Sequence, residues 1–417
     1  MNPSASIILK VLTLPGIGRK TAFKILTNLK HKISTDDDLI DALSDHPIIL
    51  RNNTSKTGFI AAFEAAEKIL DRSEMGGIKV IGYFDKEYPK LLRDVEDVPL
   101  LIHAKGDYTR LNELPSVAVI GTRAPSDHGQ KVGVRLGEVF GGAGFNVVSG
   151  LAIGCDTAGH TGCLNAGGYT TAVLAHGLDT IYPAANKPLA ARILDNGGVL
   201  LSEYMIGQKG QPSFFVERDR IQAGLSQAVI VVETDIKGGT MHTVKFAGNA
   251  KRIVAAFDHD PKYLYHPKTQ GNQYLIKNKT AIPLSNGACI EDLKNQLIEQ
   301  SGYVVEKPVS PLIQEPKIET PDRKIEVNGN VFTVVKNPET KAKKPTKPRG
   351  KKIEEKVDQV PVVITNSKKL STGRKKPQFT SVQSTTKEKS SKVHGAKKGP
   401  STQKEKNNQL EMFSTNP

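Results

Sequence analysis

The sequence predicts an α/β protein, a parallel β-sheet covered by helices on both faces, with a small helical domain before it and a basic tail after it. Three observations carry this expectation. Between residues 116 and 257, six short β-branched runs alternate with amphipathic helical stretches, the pattern of strands buried on both faces. Residues 4–75 carry helical periodicity. The formal net charge of +15 on 417 residues is matched by residues 336–408 alone, where 21 Lys and Arg face 6 Asp and Glu.

Residues 1–75 form the helical domain. Within it TLPGIGRKTAFKIL (13–26) sets a Pro and two glycines before an amphipathic run, with Ala22, Phe23, Ile25 and Leu26 on one side. LPGIG followed by a helix looks like a helix-hairpin-helix turn, whose amides hold a DNA phosphate without reading sequence. The same residues also suit a Pro-Gly turn that merely links two core helices. Residues 76–115 form a connecting segment with strand-like ends and loops at Tyr88-Pro89 and Val98-Pro99, expected to pack on the core.

The core domain spans 116–305. Its runs are VAVI (117–120), NVVS (146–149), TTAVL (170–174), GVLLS (198–202), AVIVVE (228–233) and RIVAAF (252–257). They imply a Rossmann-like, doubly wound sheet whose ligands sit at the carboxyl ends of the strands. Residues 259–305 read as a closing subdomain ending in a helix. A linker follows at 306–335, with a possible hairpin in IEVNGNVFTVV around Asn328-Gly329. The tail at 336–408 lacks Tyr and Trp and has one Phe, too little apolar surface to offset the entropy of ordering. Such a tail attracts polyanions, nucleic acid foremost; the plainer reading is a solubilising tail.

Three cysteines (Cys155, Cys163, Cys289) show neither paired metal spacing nor a disulfide framework. No basic and apolar leader opens the chain, and no apolar run approaches the ~20 residues that span a bilayer. These features predict a soluble, cytoplasmic protein with no membrane partner and no cofactor.

Three glycine turns at strand ends carry the candidate chemistry, and they are expected to converge. The first offers Gly121, Thr122 and Arg123. Glycine there allows close backbone approach, and the arginine brings a planar fork suited to phosphate. The second, VVSGLAIGCDTAGHTG (147–162), offers Ser149, Gly150, Ala152 and Gly154 as exposed amides before a helix, with Asp156 placed to cap amides or to fix an arginine. His160, four residues on, is expected to hydrogen-bond Asp156. The third has Gly238, Gly239 and Thr240 entering a helix. In SFFVERDRIQAGLSQ (213–227), Arg218 and Arg220 flank Asp219 beside Phe214 and Phe215, arginines for phosphate with aromatics for base stacking. The alternative is core phenylalanines, with arginines paired to Glu217 and Asp219. No nucleophile with a base and orienter is evident, and no metal cluster, so binding is favoured over catalysis.

Together GTR, SGLAIGCDTAGH, AVLAHGLDTIYP, LLSEY, FFVERDRIQAGLS, VVETDIKGGTMHT and YPKLLRDVEDVPLLIHAKGD resemble the DNA-processing protein A family, also called DprA or Smf. The resemblance runs in the family's order from about residue 8 to about residue 298. It implies a SAM-like helical domain before a Rossmann-like domain that binds single-stranded DNA as a homodimer and helps load the RecA recombinase during natural transformation, with no reaction performed. On the matching positions, Arg123 contacts phosphate, and Ser149, Gly150, Gly154 and Asp156 form the second turn. Arg218 and Arg220 match two arginines of the family's F-P-x-R-N-R run, and Glu233, Gly239, Thr240 and Thr243 match its E…S-G-S/T-x-x-T segment.

Ile153 stands where the family commonly has arginine, Tyr169 where it has lysine, Val216 where it has proline and Asp219 where it has asparagine. These departures are expected to weaken the grip on DNA, with the basic tail compensating by raising local DNA concentration. The family's C-terminal winged helix is not apparent. Instead QLEMF (409–413) resembles sliding-clamp peptides, with Gln409 as polar anchor and Leu410, Met412 and Phe413 as apolar plugs. Two rival readings stand beside this one. A Rossmann-type phosphoribohydrolase is partly echoed by GGTMHT, though no glutamate stands three residues after Thr240. The other is a clamp or RecA adaptor whose DNA site has decayed.

Overall fold

The structure, a computed structural model, describes residues 3–29 and 33–302 together with the strand residues 325–327 and 330–332. The rest of the linker, the tail and the QLEMF peptide lie outside the described residues.

Five helices open the chain: α1 (Ala5–Thr13), α2 (Arg19–Thr27), α3 (Asp36–Ser44), α4 (Pro47–Arg51) and α5 (Lys56–Met75). Their starts are written in the local sequence. The Ser4 and Ser55 hydroxyls accept from the third residue beyond, Thr35 and Asp38 form a reciprocal capping box, and Pro47 occupies the first position of α4. The apolar stripes of these helices meet in one core around Ile8, Leu9, Leu26, Leu43, Phe59 and Phe63. LPGIG joins α1 to α2. Gly16 takes a left-handed φ of 74° there, and the Asn52 amide donates to the Pro15 carbonyl at 2.8 Å.

All six predicted strand runs are strands, and the sheet is larger than the sequence suggested. In chain order come β1 (Lys79–Gly82), β2 (Leu101–Gly106), β3 (Ser116–Ile120), α6 (Asp127–Gly142), β4 (Asn146–Ser149), α7 (Cys155–Asn165), β5 (Thr170–Leu174), α8 (Lys187–Asp195), β6 (Val199–Ser202), α9 (Pro212–Gly224), β7 (Ala228–Val231), α10 (Thr240–Asn249), β8 (Ile253–Phe257), α11 (Gln270–Lys277), β9 (Ile282–Leu284) and α12 (Gly287–Ser301). Nine strands form one sheet in the order β1-β2-β6-β5-β4-β3-β7-β8-β9. Pairings from β6 through β9 are parallel, whereas β1-β2 and β2-β6 are antiparallel. The connecting segment therefore extends the sheet itself, and β9 adds a strand at the other edge. Farther along, β10 (Ile325–Val327) and β11 (Asn330–Phe332) pair antiparallel across Asn328-Gly329, as the hairpin pattern predicts.

Strand alternation divides the core into two layers. Val117 and Val119 pack with Val132, Leu136 and Phe140 of α6 and Leu293 and Leu297 of α12. Ala118 and Ile120 face the other way, onto Ile221 and Ala223 of α9 and Val244 and Ala247 of α10. From β3 the chain winds one way to β6, then crosses to β7 on the opposite side of β3. That reversal opens a crevice at the carboxyl ends of β3, β4 and β7, the usual ligand position in doubly wound sheets.

Helices α6 and α7 touch backbone to backbone. A Cβ on Gly133 would lie 2.8 Å from that of Ala158, one on Gly141 2.7 Å from the Cys163 sulfur, and one on Gly137 would strike the Gly159 carbonyl oxygen. Adding even a methyl group there forces apart two helices that carry two of the site's turns. Gly137→Ala is expected to lower unfolding free energy by about 2 kcal/mol, measured by urea denaturation, and Gly248→Ala, whose Cβ meets nothing within 4 Å, to leave it unchanged or raised.

Candidate nucleic-acid interface

The turn after β3 is fixed by a buried carboxylate. Glu233, fully buried just beyond β7, accepts from the Ser126 amide at 2.8 Å and the Ser126 hydroxyl at 2.5 Å. Ser126 in turn caps α6 by accepting from the Gly129 amide at 3.0 Å. The Thr122 amide donates to the Glu233 carbonyl at 2.8 Å, and the Thr122 carbonyl accepts from the Cys155 amide at 3.2 Å. Gly121 sits so close to Cys155 and Glu233 that a Cβ would fall 2.8 Å from the Cys155 Cβ. Between these anchors Arg123 projects outward. It is exposed, pairs with no carboxylate among the described residues, and lies 5.6 Å over the Phe215 ring.

The second turn packs directly on the first. Gly154, at φ 86°, leaves room for the Arg123 carbonyl, 2.7 Å from where a Cβ would stand. The expected row of exposed amides is only partly present. Asp156 Oδ2 accepts from Gly150 at 3.1 Å and Ala152 at 3.3 Å, and Ser149 is buried with its hydroxyl on the Val119 carbonyl at 2.7 Å. The chain's own carboxylate thus fills part of the nest, leaving the Leu151, Ile153 and Gly154 amides without an acceptor among the described residues. Asn186 braces the turn through the Leu151 carbonyl at 2.8 Å and the Thr157 hydroxyl at 2.9 Å.

His160 does not meet Asp156. The α7 twist takes it instead into the core, where Nδ1 lies 2.7 Å from the Thr170 hydroxyl and burial pushes its pKa down to about 3. Burial likewise raises the Cys155 thiol pKa, with Asp156 and Glu233 adding to the effect.

The two arginines of the FVERDR run point inward, and each has a separate job. Arg218 donates to the Val173 carbonyl at 2.8 Å, and its Nε lies 3.2 Å from Asp219 Oδ1. Its guanidinium lies against Gly150, so that a Cβ there would require Arg218 and Gln222 to move. Gln222, in the amide orientation that satisfies its neighbours, accepts from Gly150 and Arg218 and donates to Asp219. Arg220 is buried and donates to Glu203 at 2.6 Å. Arg19, the first residue of α2, reaches the same Glu203 at 3.0 Å, Asp97 at 2.6 Å and Glu217 at 3.3 Å. This five-residue cluster fastens the LPGIG end of the helical domain to the core. Arg19 is thereby withdrawn from any ligand, and three carboxylates lie under that turn.

At the third turn Gly239 begins α10, with open space where a Cβ would stand, and the Gly239 and Thr240 amides have no acceptor among the described residues. Thr243 is buried beneath the helix. His242 of α10 and Arg123 of the first turn both act electrostatically on Asp219 of α9; direct packing between the turns is that of the first on the second. Tyr182, 58 % exposed in the loop after β5, packs edge-on against Phe215 at 5.6 Å. Phe214 turns away to stack on Tyr204 at 4.2 Å. Arg123 and Tyr182, both exposed, and the half-buried Phe215 between them thus form one strip at the mouth of the crevice. Sequence reading singled out neither Tyr182 nor His242. The signal for Tyr182 was its place beyond a fourth strand end.

The departures from the family pattern fall in different places. Ile153 is 49 % exposed on the second turn. Tyr169 is buried at the opposite end of the sheet, with its hydroxyl on the Asp107 carbonyl and Arg110 over its ring at 5.0 Å. Asp219 lies inside the site.

A doubly wound sheet with open amides and an unpaired arginine near its switch point defines a Rossmann-like protein. The family of DNA recombination-mediator protein A matches residues 79–296, and the chain belongs to that family. It is 34 % identical to protein Smf of Synechocystis over 67 % of this chain and 69 % of that one. To the DNA processing protein DprA of Streptococcus pneumoniae it is 41 % identical over 46 % of this chain and 66 % of that one. The X-ray structure of the latter superposes with a TM-score of 0.57 at 29 % identity, covering 70 % of this chain and 98 % of that one. Among the described residues, no helix is long and apolar enough to cross a membrane.

Two stability predictions follow from these partners. Arg220→Ala, which leaves the buried Glu203 with Arg19 as its remaining cationic partner, should cost about 2–3 kcal/mol by chemical denaturation, whereas Arg123→Ala should stay within about 0.5 kcal/mol. Burial raises the Asp219 pKa to about 6, opposed by Arg218 and reinforced by Asp156. A carboxylate pKa raised on folding favours the folded state most below the unfolded value near 4, and that contribution is lost as pH climbs through about 6. Relative to Asp219→Asn, the native chain should therefore lose up to about 3 kcal/mol between these limits, read as the difference between two pH–stability curves.

Proposed function

We propose that the chain binds single-stranded DNA at the carboxyl end of its sheet without reading sequence, performs no chemistry on it, and serves recombination by helping to load the RecA recombinase. The observation that carries the DNA-binding reading is the strip at the crevice mouth. Arg123 is exposed, unpaired with any carboxylate among the described residues and seated on Phe215 beside Tyr182. A guanidinium suits a backbone phosphate, and two aromatic faces suit unstacked bases. Open amides at Ile153, Gly154, Gly239 and Thr240 add donors that are indifferent to base identity.

In this proposal the previously named residues divide by role. Arg123, Gly154, Gly239 and Thr240 face the strand, and Gly121, Thr122, Ser149, Gly150, Asp156 and Thr243 shape the turns. Arg218 and Arg220 hold α9 against β5 and against the helical domain. The basic tail gathers DNA near the site, and Gln409, Leu410, Met412 and Phe413 dock a sliding clamp. RecA loading, a homodimer and a cytoplasmic location rest on the family resemblance. The adaptor reading also has an observation in its favour, because Asp156 occupies two amides that would otherwise meet phosphate.

One titration separates the readings. Labelled single-stranded and double-stranded oligonucleotides are bound by the full chain, by its Arg123→Ala variant and by a variant lacking 336–417, at two salt concentrations. The expected result is single-strand preference without the tail, a roughly tenfold loss on Arg123→Ala, and a salt slope smaller by about 0.7 for the one lost phosphate contact. Binding that disappears with the tail and ignores Arg123 would overturn the proposal in favour of the adaptor.

A further inference from the structure

Resting on that DNA-binding reading, we infer that Asp219 sets the site's affinity for polyanions according to pH, so that single-stranded DNA is held more tightly as the medium acidifies. The geometry supplies the reason. Asp219 lies on α9 one helical turn after Phe215, whose ring Arg123 overlies at 5.6 Å, and its side chain is 15 % exposed. It faces Arg218 of its own helix at 3.2 Å, Asp156 from α7, His242 from α10 and Arg123 from the turn after β3. Two carboxylates there oppose two guanidiniums, so the ionised site offers little net charge to a phosphate, and a phosphate beside Arg123 shares that guanidinium's field with the Asp219 carboxylate.

Protonating Asp219 removes that competition. The group is placed to do so near neutrality, since burial with Asp156 nearby outweighs Arg218, His242 and Arg123 and holds its pKa at about 6. A bound phosphate adds a further negative charge and raises it again, and proton uptake then accompanies binding. His242 of α10 also acts electrostatically on Asp219, so the test must separate the two residues.

The measurement is the affinity of full-length protein for oligo-dT, whose bases do not titrate in this range, at fixed salt between pH 7.5 and 5.5. Variants are Asp219→Asn, His242→Gln and Arg123→Ala. A one-unit rise in the Asp219 pKa on binding gives about fivefold tighter binding across the interval. Asp219→Asn should bind more tightly at pH 7.5 and lose that fivefold response, and His242→Gln should retain most of it. A response that survives in Asp219→Asn, or that vanishes only in His242→Gln, overturns the inference while leaving the binding site intact. Arg123→Ala binding like the native chain at every pH would instead overturn the DNA-site reading on which it rests.

Discussion

The site depends first on one buried carboxylate. Glu233 leaves the end of β7 and takes both the amide and the hydroxyl of Ser126, satisfying donors at the start of α6 that would otherwise be costly to bury. Its own carbonyl holds Thr122. The two strands at the switch point are thereby tied on the far side of the sheet's edge, beyond the reach of ladder hydrogen bonds. Arg123 stands out because the groups that hold its turn are engaged internally: Glu233, Ser126 and the Thr122 amide and carbonyl all have partners, and the guanidinium is left facing outward beside the open Ile153 and Gly154 amides.

The arginines illustrate how far residue type can be read without packing. Arg123, Arg218 and Arg220 are equally plausible phosphate ligands in sequence, each within five residues of a glycine or an aromatic. Helical geometry decides among the last two, because positions 218 and 220 lie about 200° apart around α9. One side of the helix meets β5 and Gly150, and the other meets Glu203 and the arginine from α2. Both sides are buried, so neither guanidinium reaches the surface. Nothing local announces Glu203 or Asp97 as their partners, since these pairings span long stretches of sequence.

The parallel sheet was legible because its strands are buried on both faces and read as unbroken apolar runs. Strands β1 and β2 were seen as strand-like but not as members of that sheet, because antiparallel pairing to β6 leaves no mark in either segment. β9 is only three residues long, mixes exposed and buried positions and contains Pro283, so its pattern resembles a loop. The packing of the first glycine turn on the second was legible from topology. The half-filled state of the second turn was not: that Asp156 folds back on Gly150 and Ala152, rather than the amides of its own helix, is a matter of the loop path.

The contact between α6 and α7 bears on how this site can respond to anything that enters it. At Gly137 and Gly162 carbonyls of one helix rest on the backbone of the other, and at Gly133 and Gly141 only the small Ala158 and Cys163 side chains intervene. Such a joint has no soft layer. The turns that lead into these two helices consequently behave as a single rigid jaw. Accommodation is left to what stands opposite: the rings of Phe215 and Tyr182 and the loop that carries them, whose side chains can swing where the jaw cannot.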